Sequence, residues 1–549
     1  MAQRAISIPY KPLSESNQQT YMYNLHLDKS LIQHIDEACE KYANRPCLIF
    51  EGETFTFKEV QDASCKVANQ LIVSGFKKDM RGAVFSLNSH LAYFALLGII
   101  RAGGIWVPIN PRNSLEDNIT LLKNFGCDAI FFQDIYEKGV GKIAAEFPNL
   151  ISKVCLNKTL ESSPSLDIWI KEASQVPPNV PTKPTDIVCI PMTGGTTGLP
   201  KAVALSNRNF AAILYNVTNS LTKRIDIPVG LLAAPMTHVG GRLVLCLMYA
   251  GGRHVVLPTM SYDGLFDNIP KYGVTTMFLP PTAIYKVLEH PRVHTTDFSS
   301  LDAIGYGAAP MDTDKLKEAI RVIGPCFLGG YGQTESPMCI TSLEVEDHFK
   351  DGVIGGKLVS DERLKSCGNK TLVSEIAIMD EMGNLLPAGE LGEIVIKGPF
   401  VSEGYFMNPA ATAKIRKNGW HLSGDIGKMD GEGYLYILDR KKDMIITGGF
   451  NVYSIQVERA VAELDGVAEV ACFGIPHKKW GEAVHVNVIL EKEANLTEET
   501  IINYCKEKIG PINAPKSVQF VQEFARNSNG KVVKRKMRAA FWKGQEKKI

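Results

Sequence analysis

The stretch Met192-Thr-Gly-Gly-Thr-Thr-Gly-Leu-Pro-Lys-Ala-Val203 decides the fold of this chain. It follows the apolar run Ile187–Ile190, which predicts a buried strand, and it precedes a helix predicted to begin at Ser206. Glycines let the backbone turn its N–H groups towards a ligand, threonines add hydroxyl donors, and a lysine adds a positive charge. These residues are Thr193, Gly194, Gly195, Thr196, Thr197, Gly198 and Lys201. Their combination predicts a loop that holds a polyphosphate, the phosphate loop Thr193–Lys201.

The spacing of the phosphate loop differs from that of ordinary nucleotide hydrolases. In those proteins the lysine follows the last glycine directly, whereas Lys201 lies three residues beyond Gly198. A glycine-rich loop by itself is more often a plain turn. The three threonines and the lysine favour a binding function here.

Length and charge bound the remaining possibilities. With 549 residues the chain exceeds the size at which one core keeps growing, so we expect two or more domains. A charged fraction of 22% and a hydrophobic fraction of 45% are typical of globular proteins. The net charge of +1 provides no general attraction to nucleic acid or to an anionic membrane, so neither is an expected partner.

The cysteines and the N-terminus indicate where the protein resides. The 12 cysteines include no Cys-x-x-Cys pair and no histidine at metal-ligand spacing, which disfavours zinc and a disulfide framework. The first residues lack the apolar core of a secretion signal. The longest apolar stretch, Leu91–Ile109, is interrupted by Arg101, so no integral membrane segment is expected. A cytoplasmic location is predicted.

Helices and strands alternate from Thr54 onwards. Thr56-Phe-Lys-Glu59 is a capping box that opens a helix, and apolar runs such as Gly82–Leu87 and Ala129–Phe132 predict short strands. Alternation with short loops is typical of a largely parallel sheet covered by helices. Ligands of such sheets bind at the carboxyl ends of the strands, which is where the phosphate loop falls.

The pattern changes twice after this layered part, which reaches about residue 352. Short β-like runs with glycine turns at residues 353–438 predict a small antiparallel barrel or sheet. The charged stretch Asp439–Asp443 forms a boundary, and mixed helices and strands follow it. We therefore expect an α/β fold with a large N-terminal domain, residues 1–438, of two helix-covered sheets and a small β-barrel. A small α+β C-terminal domain is predicted at residues 444–549.

Four later stretches carry a resemblance when they are considered together with the phosphate loop. They are Gly330-Tyr-Gly-Gln-Thr-Glu335, Gly419-Trp-His-Leu-Ser-Gly-Asp425, Tyr436-Ile-Leu-Asp-Arg-Lys-Lys-Asp-Met-Ile-Ile-Thr-Gly-Gly449 and Asn529-Gly-Lys531. In this order they resemble the adenylate-forming (AMP-binding) superfamily of acyl-CoA synthetases, adenylation domains and luciferases. The matched motifs extend from about Thr193 to Lys531, and the N-terminal third fits by pattern only.

The resemblance implies an ATP site built on these motifs. The phosphate loop would hold the β- and γ-phosphates, although Gly194 replaces the usual serine and removes one hydroxyl. Glu335 would bind Mg²⁺ together with Thr197, because a hard cation prefers oxygen ligands. The adenine would lie between Tyr331 and the opposite wall, and the α-phosphate would accept from Thr334. The other residues implied at this slot are Gly307, Ala308, Ala309, Gly332 and Gln333.

The later motifs imply further contacts to the nucleotide. Asp425 would accept both ribose hydroxyls, and Arg440 would be its positively charged neighbour. Lys531 would lie between the substrate carboxylate and the α-phosphate during adenylation, where its role is electrostatic. The segment Ala525-Arg-Asn-Ser-Asn529 departs from the Pro-Arg-Thr that usually precedes this Gly-Lys pair.

The resemblance also implies a mobile C-terminal domain and a thiol substrate. The domain would rotate at a hinge, residues 439–443, about Lys442, so that one site runs two half-reactions. Gly448 and Gly449 would leave a tunnel for the pantetheine of CoA. Trp480 would stack on the CoA adenine.

The acid would bind next to the strand that ends before His238. In the family this position faces the reacting carboxylate and the mouth of the thiol tunnel. The remaining pocket wall is predicted to be apolar and open, and it includes Gly240, Gly241, Tyr306 and Gly330. No aspartate occurs in Pro235–Thr237 to hold an ammonium group, which disfavours an amino acid.

These residues predict an ATP-dependent acyl-CoA synthetase. A carboxylic acid, with a fatty acid the first expectation and an aromatic acid the second, would form acyl-AMP and pyrophosphate, and CoA would then form the thioester and AMP. Alternatives are an aryl-acid CoA ligase, an enzyme that loads an acyl carrier protein, a luciferase-like oxygenase and a nucleotide-binding relative without turnover. Each key residue also has a purely structural alternative: Tyr331 or His238 in a core, Asp425 in a turn, and Lys531–Arg538 on a solvated helix face.

Overall fold

The computed structural model describes residues 25–193, 201–237, 239–526 and 532–543. Within these ranges the chain divides into two units. The larger unit comprises the residues up to Thr193, residues 201–375 and Lys397–Lys414. The smaller unit comprises Ile376–Ile396 and the described residues from Ile415 onwards. The antiparallel part thus groups with the C-terminal residues, and the domain boundary at 439–443 stays a prediction.

Strands and α-helices follow one another through the described ranges. The strands are β1 (Pro46–Phe50), β2 (Glu53–Thr56), β3 (Arg81–Phe85), β4 (Ile105–Pro108), β5 (Ala129–Phe132), β6 (Ser152–Cys155), β7 (Ile187–Cys189), β8 (Met192–Thr193), β9 (Lys201–Ser206), β10 (Val229–Leu232), β11 (Arg253–Val256), β12 (Thr276–Phe278), β13 (Ala303–Gly307), β14 (Phe327–Gln333), β15 (Ser336–Leu343), β16 (Asn369–Lys370), β17 (Glu375–Met379), β18 (Leu385–Leu386), β19 (Gly392–Lys397), β20 (Gly404–Tyr405), β21 (Arg416–Lys417), β22 (Trp420–Met429), β23 (Leu435–Arg440), β24 (Ile445–Thr447), β25 (Phe450–Val452), β26 (Val467–His477), β27 (Gly481–Leu490) and β28 (Ser517–Phe520). The helices are α1 (Leu31–Lys41), α2 (Phe57–Val73), α3 (His90–Arg101), α4 (Leu115–Phe125), α5 (Glu137–Ala145), α6 (Leu166–Trp169), α7 (Asn207–Leu221), α8 (Val239–Tyr249), α9 (Tyr262–Tyr272), α10 (Pro281–Glu289), α11 (Thr313–Val322), α12 (Asp361–Leu364), α13 (Pro409–Ala413), α14 (Ser454–Ala462), α15 (Glu498–Asn513) and α16 (Lys534–Arg538).

Two mixed sheets form the larger unit, as the alternation of helices and strands predicts. A nine-stranded sheet has the order β16-β15-β14-β13-β12-β10-β11-β1-β2, and its six strands from β14 to β1 run parallel. An eight-stranded sheet has the order β20-β9-β7-β4-β3-β5-β6, with β8 paired to β9, and its strands from β7 to β6 run parallel. Each sheet has its own apolar core, around Phe266 and Phe327 in the first and Ile130 and Phe132 in the second.

Local capping fixes two helices where the sequence predicts them. Glu59 N donates to Thr56 Oγ1, and the Glu59 carboxylate accepts from Thr56 N at 2.7 Å, so the capping box starts α2. Ser206 caps α7 in the same way, with Asn209 as the reciprocal partner at 2.8 Å. Each cap provides partners for backbone groups that the first helical turn leaves unbonded. Both predicted starts are confirmed.

Two further sheets form the smaller unit. The antiparallel run predicted after residue 353 is a six-stranded sheet of order β18-β17-β19-β22-β21, with β23 paired to β22. The C-terminal residues form a five-stranded sheet of order β25-β24-β27-β26, with β28 parallel to β27. Its core combines Val484 and Val486 of β27 with Val457 and Val461 of α14.

The hydrophobic segments remain within these layers. In the ranges that the structure describes, no helix has the length and apolar character needed to cross a bilayer. Leu91–Ile109, the longest apolar stretch, is divided between α3 and β4.

Candidate functional site

The two ends of the phosphate loop lie side by side. Thr193 of β8 pairs with Lys201 of β9 in antiparallel register, and Thr193 Oγ1 donates to the Lys201 carbonyl at 3.3 Å. β9 then leads directly into the Ser206 cap of α7. The loop residues predicted between these ends, Gly194, Gly195, Thr196, Thr197 and Gly198, lie outside the described residues.

Tyr405 joins two of the predicted site residues. β20 pairs with β9, which sets Tyr405 opposite Val203. The Lys201 Nζ lies 4.7 Å from the centroid of the Tyr405 ring, and the Tyr405 hydroxyl donates to Glu335 Oε1 at 2.8 Å. The first contact is a cation–π interaction. One tyrosine therefore contacts both the predicted phosphate-binding lysine and the predicted metal ligand.

The sequence did not reveal Tyr405. Its neighbourhood, Gly404-Tyr405-Phe406, contains no pattern of charges or glycines, and its contacts depend on strands far apart in the chain. The structure gives the second oxygen of Glu335 no hydrogen bond to any described residue. That oxygen remains available to a ligand.

The residues predicted around the adenine follow two neighbouring parallel strands. Gly307 at the end of β13 is the partner of Gly330 in β14, and a Cβ at Gly307 would lie 2.5 Å from the Gly330 carbonyl oxygen. Ala308 adopts φ +65°, an unusual backbone conformation for a residue with a Cβ. Tyr331 follows Gly330, and its hydroxyl accepts from Gln333 Nε2 at 3.1 Å. The structure thus brings the two predicted walls to the same sheet edge.

The remaining residues of this segment differ in exposure. Ala308, Ala309 and Gly332 are exposed, Gln333, Thr334 and Glu335 are half-buried, and Tyr331 is only 8% exposed. All of them stand at the carboxyl end of β13 or β14 or directly after it. Positions of this kind are where parallel sheets bind ligands.

Tyr306 lies in the core of the nine-stranded sheet. Its hydroxyl lies 3.0 Å from His348 Nε2, and His348 Nδ1 lies 2.9 Å from the Glu344 carbonyl oxygen. Because Nδ1 must donate to a carbonyl, Nε2 accepts and the tyrosine donates. Burial raises the pKa of Tyr306 and lowers the pKa of His348, so both stay neutral. The predicted place of Tyr306 in the acyl pocket stays a prediction.

Gly240 and Gly241 are required by close backbone packing at the start of α8. A Cβ at Gly240 would lie 2.5 Å from the Ala234 carbonyl oxygen, and one at Gly241 would lie 2.2 Å from the Met236 carbonyl oxygen. A small cavity lies next to the segment before α8 and is lined in part by Ala233, Pro235 and Thr237. The predicted acid-facing residue His238 lies outside the described residues, and the acyl pocket stays a prediction.

The smaller unit brings Asp425 and Arg440 together. They are direct cross-strand partners in β22 and β23, and Arg440 Nε lies 3.8 Å from Asp425 Oδ1. The Asp425 side chain is 15% exposed and the Arg440 side chain 41% exposed. Lys442, the predicted hinge residue, occupies the turn after β23. The predicted acidic residue and its basic neighbour thus form one pair.

The residues predicted to contact CoA also meet in the smaller unit. Gly448 and Gly449 form the turn between β24 and β25, with φ +58° and +86°. Gly448 N donates to the Trp480 carbonyl at 2.8 Å. The Trp480 ring stacks on His477, with 4.1 Å between the ring centroids.

An ion cluster in the smaller unit joins the buried residues Asp439 and Ser454 to the half-buried residues Glu458 and Lys534. Lys534 Nζ lies 2.7 Å from Glu458 Oε1 and 2.6 Å from Ser454 Oγ, and Ser454 Oγ donates to Asp439 Oδ1 at 3.1 Å. Burial lowers the pKa of Lys534, but Glu458 and Asp439 outweigh this effect and the pKa is raised. The prediction of a solvated helix face for Lys531–Arg538 is therefore wrong at Lys534, because two acids from other elements enclose it.

The described residues on either side of Lys531 pair with each other. Arg526 and Val532 form an antiparallel bridge, and Val533 N donates to the Ala525 carbonyl at 2.7 Å. Lys531 itself lies outside the described residues. Its predicted catalytic role stays a prediction.

Fold and site together define a class of protein. The larger unit has parallel strands, a carboxylate and glycines at the carboxyl ends of two of them, and a lysine at the start of strand β9, which is an arrangement typical of an α/β nucleotide-binding enzyme. The chain belongs to the AMP-binding enzyme family. The family model "AMP-binding enzyme" matches residues 35–406, and the model "AMP-binding enzyme C-terminal domain" matches residues 456–531. The resemblance found in the motifs is confirmed.

Curated relatives extend over nearly the whole chain. A medium/long-chain-fatty-acid–CoA ligase of Mycobacterium tuberculosis, FadD8, is 30% identical and covers 92% of this chain and 89% of its own. A long-chain-fatty-acid–CoA ligase of Escherichia coli O6:H1 is 30% identical, with coverages of 93% and 94%. More distant relatives, each 28% identical, are named feruloyl-CoA synthase and fatty acid–[acyl-carrier-protein] ligase.

Solved structures share the fold. ATP-bound MatB of Rhodopseudomonas palustris superposes with a TM-score of 0.83 at 27% identity, and the match covers 93% of this chain and 99% of MatB. The predicted fold class, a large N-terminal and a small C-terminal domain of α/β character, is confirmed by this likeness.

Proposed function

We propose that this chain is an AMP-forming ligase that joins a carboxylic acid to the thiol of CoA. The acid carboxylate attacks the α-phosphorus of ATP, which forms acyl-AMP and releases pyrophosphate. The CoA thiol then attacks the acyl carbon, which forms the thioester and releases AMP. The observation that carries this proposal is that Tyr405 contacts Lys201 through its ring and Glu335 through its hydroxyl, where the chain leaves the phosphate loop.

Lys201 and Glu335 supply the charges that the first step needs. Two anions must approach each other, so a cation beside the phosphates lowers the barrier. Lys201 has no acidic partner among the residues described, and its charge is available to a phosphate. Glu335 would hold Mg²⁺, and the unbonded oxygen of its carboxylate fits that role. Magnesium usually uses one or two carboxylates and completes its shell with phosphate oxygens and water, where it neutralises charge.

Asp425 and Arg440 provide a second contact to the nucleotide. A carboxylate accepts hydrogen bonds from two neighbouring hydroxyls, which suits the ribose of ATP. Arg440 lies 3.8 Å from Asp425 and adds positive charge at the same place. Lys531 is proposed to stabilise the charge between the carboxylate and the α-phosphate.

The thiol half-reaction is assigned to the C-terminal residues. Lys442 is proposed as the hinge, and the Gly448-Gly449 turn as the wall of the pantetheine tunnel. The contact between Gly448 and Trp480 supports a common site for the tunnel and for the CoA adenine. Lysines 478 and 479 adjoin Trp480 and are exposed, which suits the phosphates of CoA.

The relatives favour an aliphatic acid as substrate. The relatives at 30% identity are named for medium- and long-chain fatty acids, which agrees with the first expectation from the sequence. The likeness to a feruloyl-CoA synthase leaves an aromatic acid as the alternative substrate of this chain. The likeness to a carrier-protein ligase leaves a carrier protein as the alternative acceptor. A cytoplasmic location is proposed, because all cysteines whose side chains are described are free thiols.

The test is AMP formation by the full chain with ATP and Mg²⁺, across fatty, aromatic and amino acids, with and without CoA. We expect AMP that depends on both an aliphatic acid and CoA. Glu335→Gln is expected to lower the rate by about 100-fold, because it weakens the hold on the cation. Glu432→Gln, a change at an exposed turn, is the matched control. If no acid gives AMP, or if ADP forms in place of AMP, the proposal is refuted.

A further inference from the structure

Among the described residues of the larger unit two arginines are buried, and only one of them contacts a described anion. Arg101 is 3% exposed, its Nη1 donates to Asp36 Oδ2 at 3.0 Å, and its Nε donates to Ser64 Oγ at 2.9 Å. Arg242 is 6% exposed, and its Nε is buried without a hydrogen-bond partner. Across the described part of the chain, no hydrogen bond or ion pair involves the Arg242 guanidinium.

A second orphaned donor belongs to Trp106, whose ring packs against the residue before Arg242. A Cβ on the preceding residue, Gly241, would lie 3.0 Å from Cη2 of Trp106. Trp106 is 2% exposed, its Nε1 is buried without a hydrogen-bond partner, and it stands opposite Cys189 in the sheet. Cys189 and Cys246 are the groups whose electrostatic influence reaches Arg242. The thiols of Cys189 and Cys246 thus lie within electrostatic reach of this guanidinium.

Arg242 does not become neutral by losing a proton. Burial lowers the pKa of Arg242, but a guanidinium ordinarily titrates so high that it keeps its charge at neutral pH. His254, also buried in the larger unit, avoids the same problem, because burial lowers its pKa to about 4 and leaves it neutral. A buried, unpaired cation is costly, and an anion from outside the chain would offset that cost.

The chemistry of the two groups defines the missing partner. An arginine and an indole N–H only donate hydrogen bonds, so the partner must accept them. The planar guanidinium presents two parallel donors at the spacing of the two oxygens of a carboxylate. A carboxylate satisfies both its charge and its geometry.

Arg242 lies on the helix that follows the proposed acid site along the chain. α8 follows the carboxyl end of β10 through Ala233–Thr237, and this connection lines the small cavity. Thr237 Oγ1 is buried there without a hydrogen-bond partner. Arg242 lies one helical turn further along α8. The helix that carries the unpaired cation thus begins directly after the connection that lines the cavity.

We propose that Arg242 and Trp106 form a second anion subsite, and that the acid activated by this chain is an aliphatic dicarboxylic acid. This inference rests on the proposed function. One carboxylate attacks the α-phosphorus of ATP, while the far carboxylate takes no part in bond making and binds the Arg242 guanidinium. A phosphate of ATP is the other possible source of the same kind of anion, and the test separates the two.

The experiment compares wild type, Arg242→Met, Arg242→Lys and Trp106→Phe as full-length chains. Initial rates of AMP formation are measured with ATP, Mg²⁺ and CoA, for monocarboxylic and α,ω-dicarboxylic acids of equal chain length. We expect wild type to prefer the dicarboxylic acid in kcat/KM. In Arg242→Met the ratio of dicarboxylic to monocarboxylic kcat/KM should fall by at least about 30-fold, since a buried charge pair is lost. Arg242→Lys should restore part of the ratio, and Trp106→Phe should lower it by about fivefold.

Controls keep this inference separate from the proposed function. Arg321→Met, at an exposed position of α11, should leave the ratio unchanged. A ratio that stays constant in Arg242→Met overturns the subsite while the ligase activity stands. A raised KM for ATP with a constant ratio assigns Arg242 to a phosphate and also overturns it.

A binding measurement decides the case in which no acid is activated. Thermal unfolding is followed with each dicarboxylic acid alone, without ATP. We expect the acid to raise the Tm of wild type and not that of Arg242→Met. If the wild-type Tm rises, the subsite stands although the proposed ligase function fails. If neither Tm moves, the subsite is overturned.

Discussion

The ion cluster of the smaller unit and the candidate site of the larger unit differ in whether their charged side chains have partners. In the cluster, Lys534 contacts Glu458 at 2.7 Å and reaches Asp439 through Ser454. In the larger unit, no described residue is a counterion of Arg242, and the side chains of Lys201 and Glu335 contact the ring and the hydroxyl of Tyr405. The cluster is complete without a ligand, whereas the site leaves charges for one. The difference separates residues that hold the fold from residues that we propose bind a substrate.

Breaking the ion cluster should have one of the two largest effects on stability. Lys534→Met leaves the buried Asp439 and the half-buried Glu458 without their cation, so we expect the smaller unit to lose about 3 kcal/mol of unfolding free energy. Urea unfolding followed by hydrogen exchange of β26 and β27 measures this loss. Lys536→Met, an exposed neighbour on α16, is the matched control and should change little. An unchanged midpoint for Lys534→Met would show that the cluster does not hold the unit together.

The same substitution at the two buried arginines should give opposite results. Arg101→Met strips Asp36 of its partner, and we expect a loss of about 3 kcal/mol in the larger unit. Arg242→Met removes a charge that has no partner, so without ligand its stability should equal or exceed that of wild type. Equilibrium urea unfolding of the two variants, side by side without substrate, checks the contrast. A similar loss in both would mean that Arg242 stabilises the fold, which contradicts the comparison.

His254 tests how the larger unit tolerates a buried base that can titrate. Its folded pKa, about 4, lies below the ordinary 6.5, so the unfolded chain takes up the proton first. The stabilising contribution is therefore complete above about pH 6.5 and is lost as pH falls towards 4. Between pH 7.5 and pH 5 we expect a loss of about 2 kcal/mol in wild type that is absent in His254→Leu. Urea midpoints at both pH values measure it, and equal acid losses in the two proteins would refute the assignment.

The smallest effect is expected at the tyrosine that joins Lys201 and Glu335. Tyr405→Phe keeps the ring beside Lys201 and removes the hydroxyl that donates to Glu335, so kcat/KM should fall by about fivefold with little change in stability. Tyr504→Phe removes an equivalent hydrogen bond to Glu463 at 2.8 Å, on the surface of the smaller unit, and should leave the rate unchanged. Equal rates for both variants would show that Tyr405 does not position Glu335.

Local signals account for the parts of the fold that the sequence predicts well. Thr56 and Ser206 cap helices through residues three positions away, so their effect is visible in a short stretch. The strand before the phosphate loop is visible as the apolar run Ile187–Ile190. The Asp425–Arg440 pair was placed by resemblance alone, and the register of β22 and β23 now provides its physical basis.

Tertiary contacts account for the parts that the sequence does not reveal. Lys534 belongs to a basic run that looks solvated, and only the fold brings Glu458 and Asp439 to it. Tyr405 gains its role because β20 pairs with β9, about 200 positions earlier in the chain. Arg242 is visible in the sequence as the single charge in the otherwise apolar helix Val239–Tyr249. A charge in an apolar helix does not by itself identify a partner.

The most direct test of the central claim follows an oxygen atom through the reaction. The preferred acid is labelled with ¹⁸O in its carboxylate, incubated with ATP, Mg²⁺, CoA and the full chain, and the AMP is analysed by mass spectrometry. Attack of the carboxylate on the α-phosphorus predicts one ¹⁸O in the phosphate of each AMP, with the other retained in the thioester. AMP without the label, or label found in inorganic phosphate together with ADP, would contradict the acyl-adenylate and the function built on it.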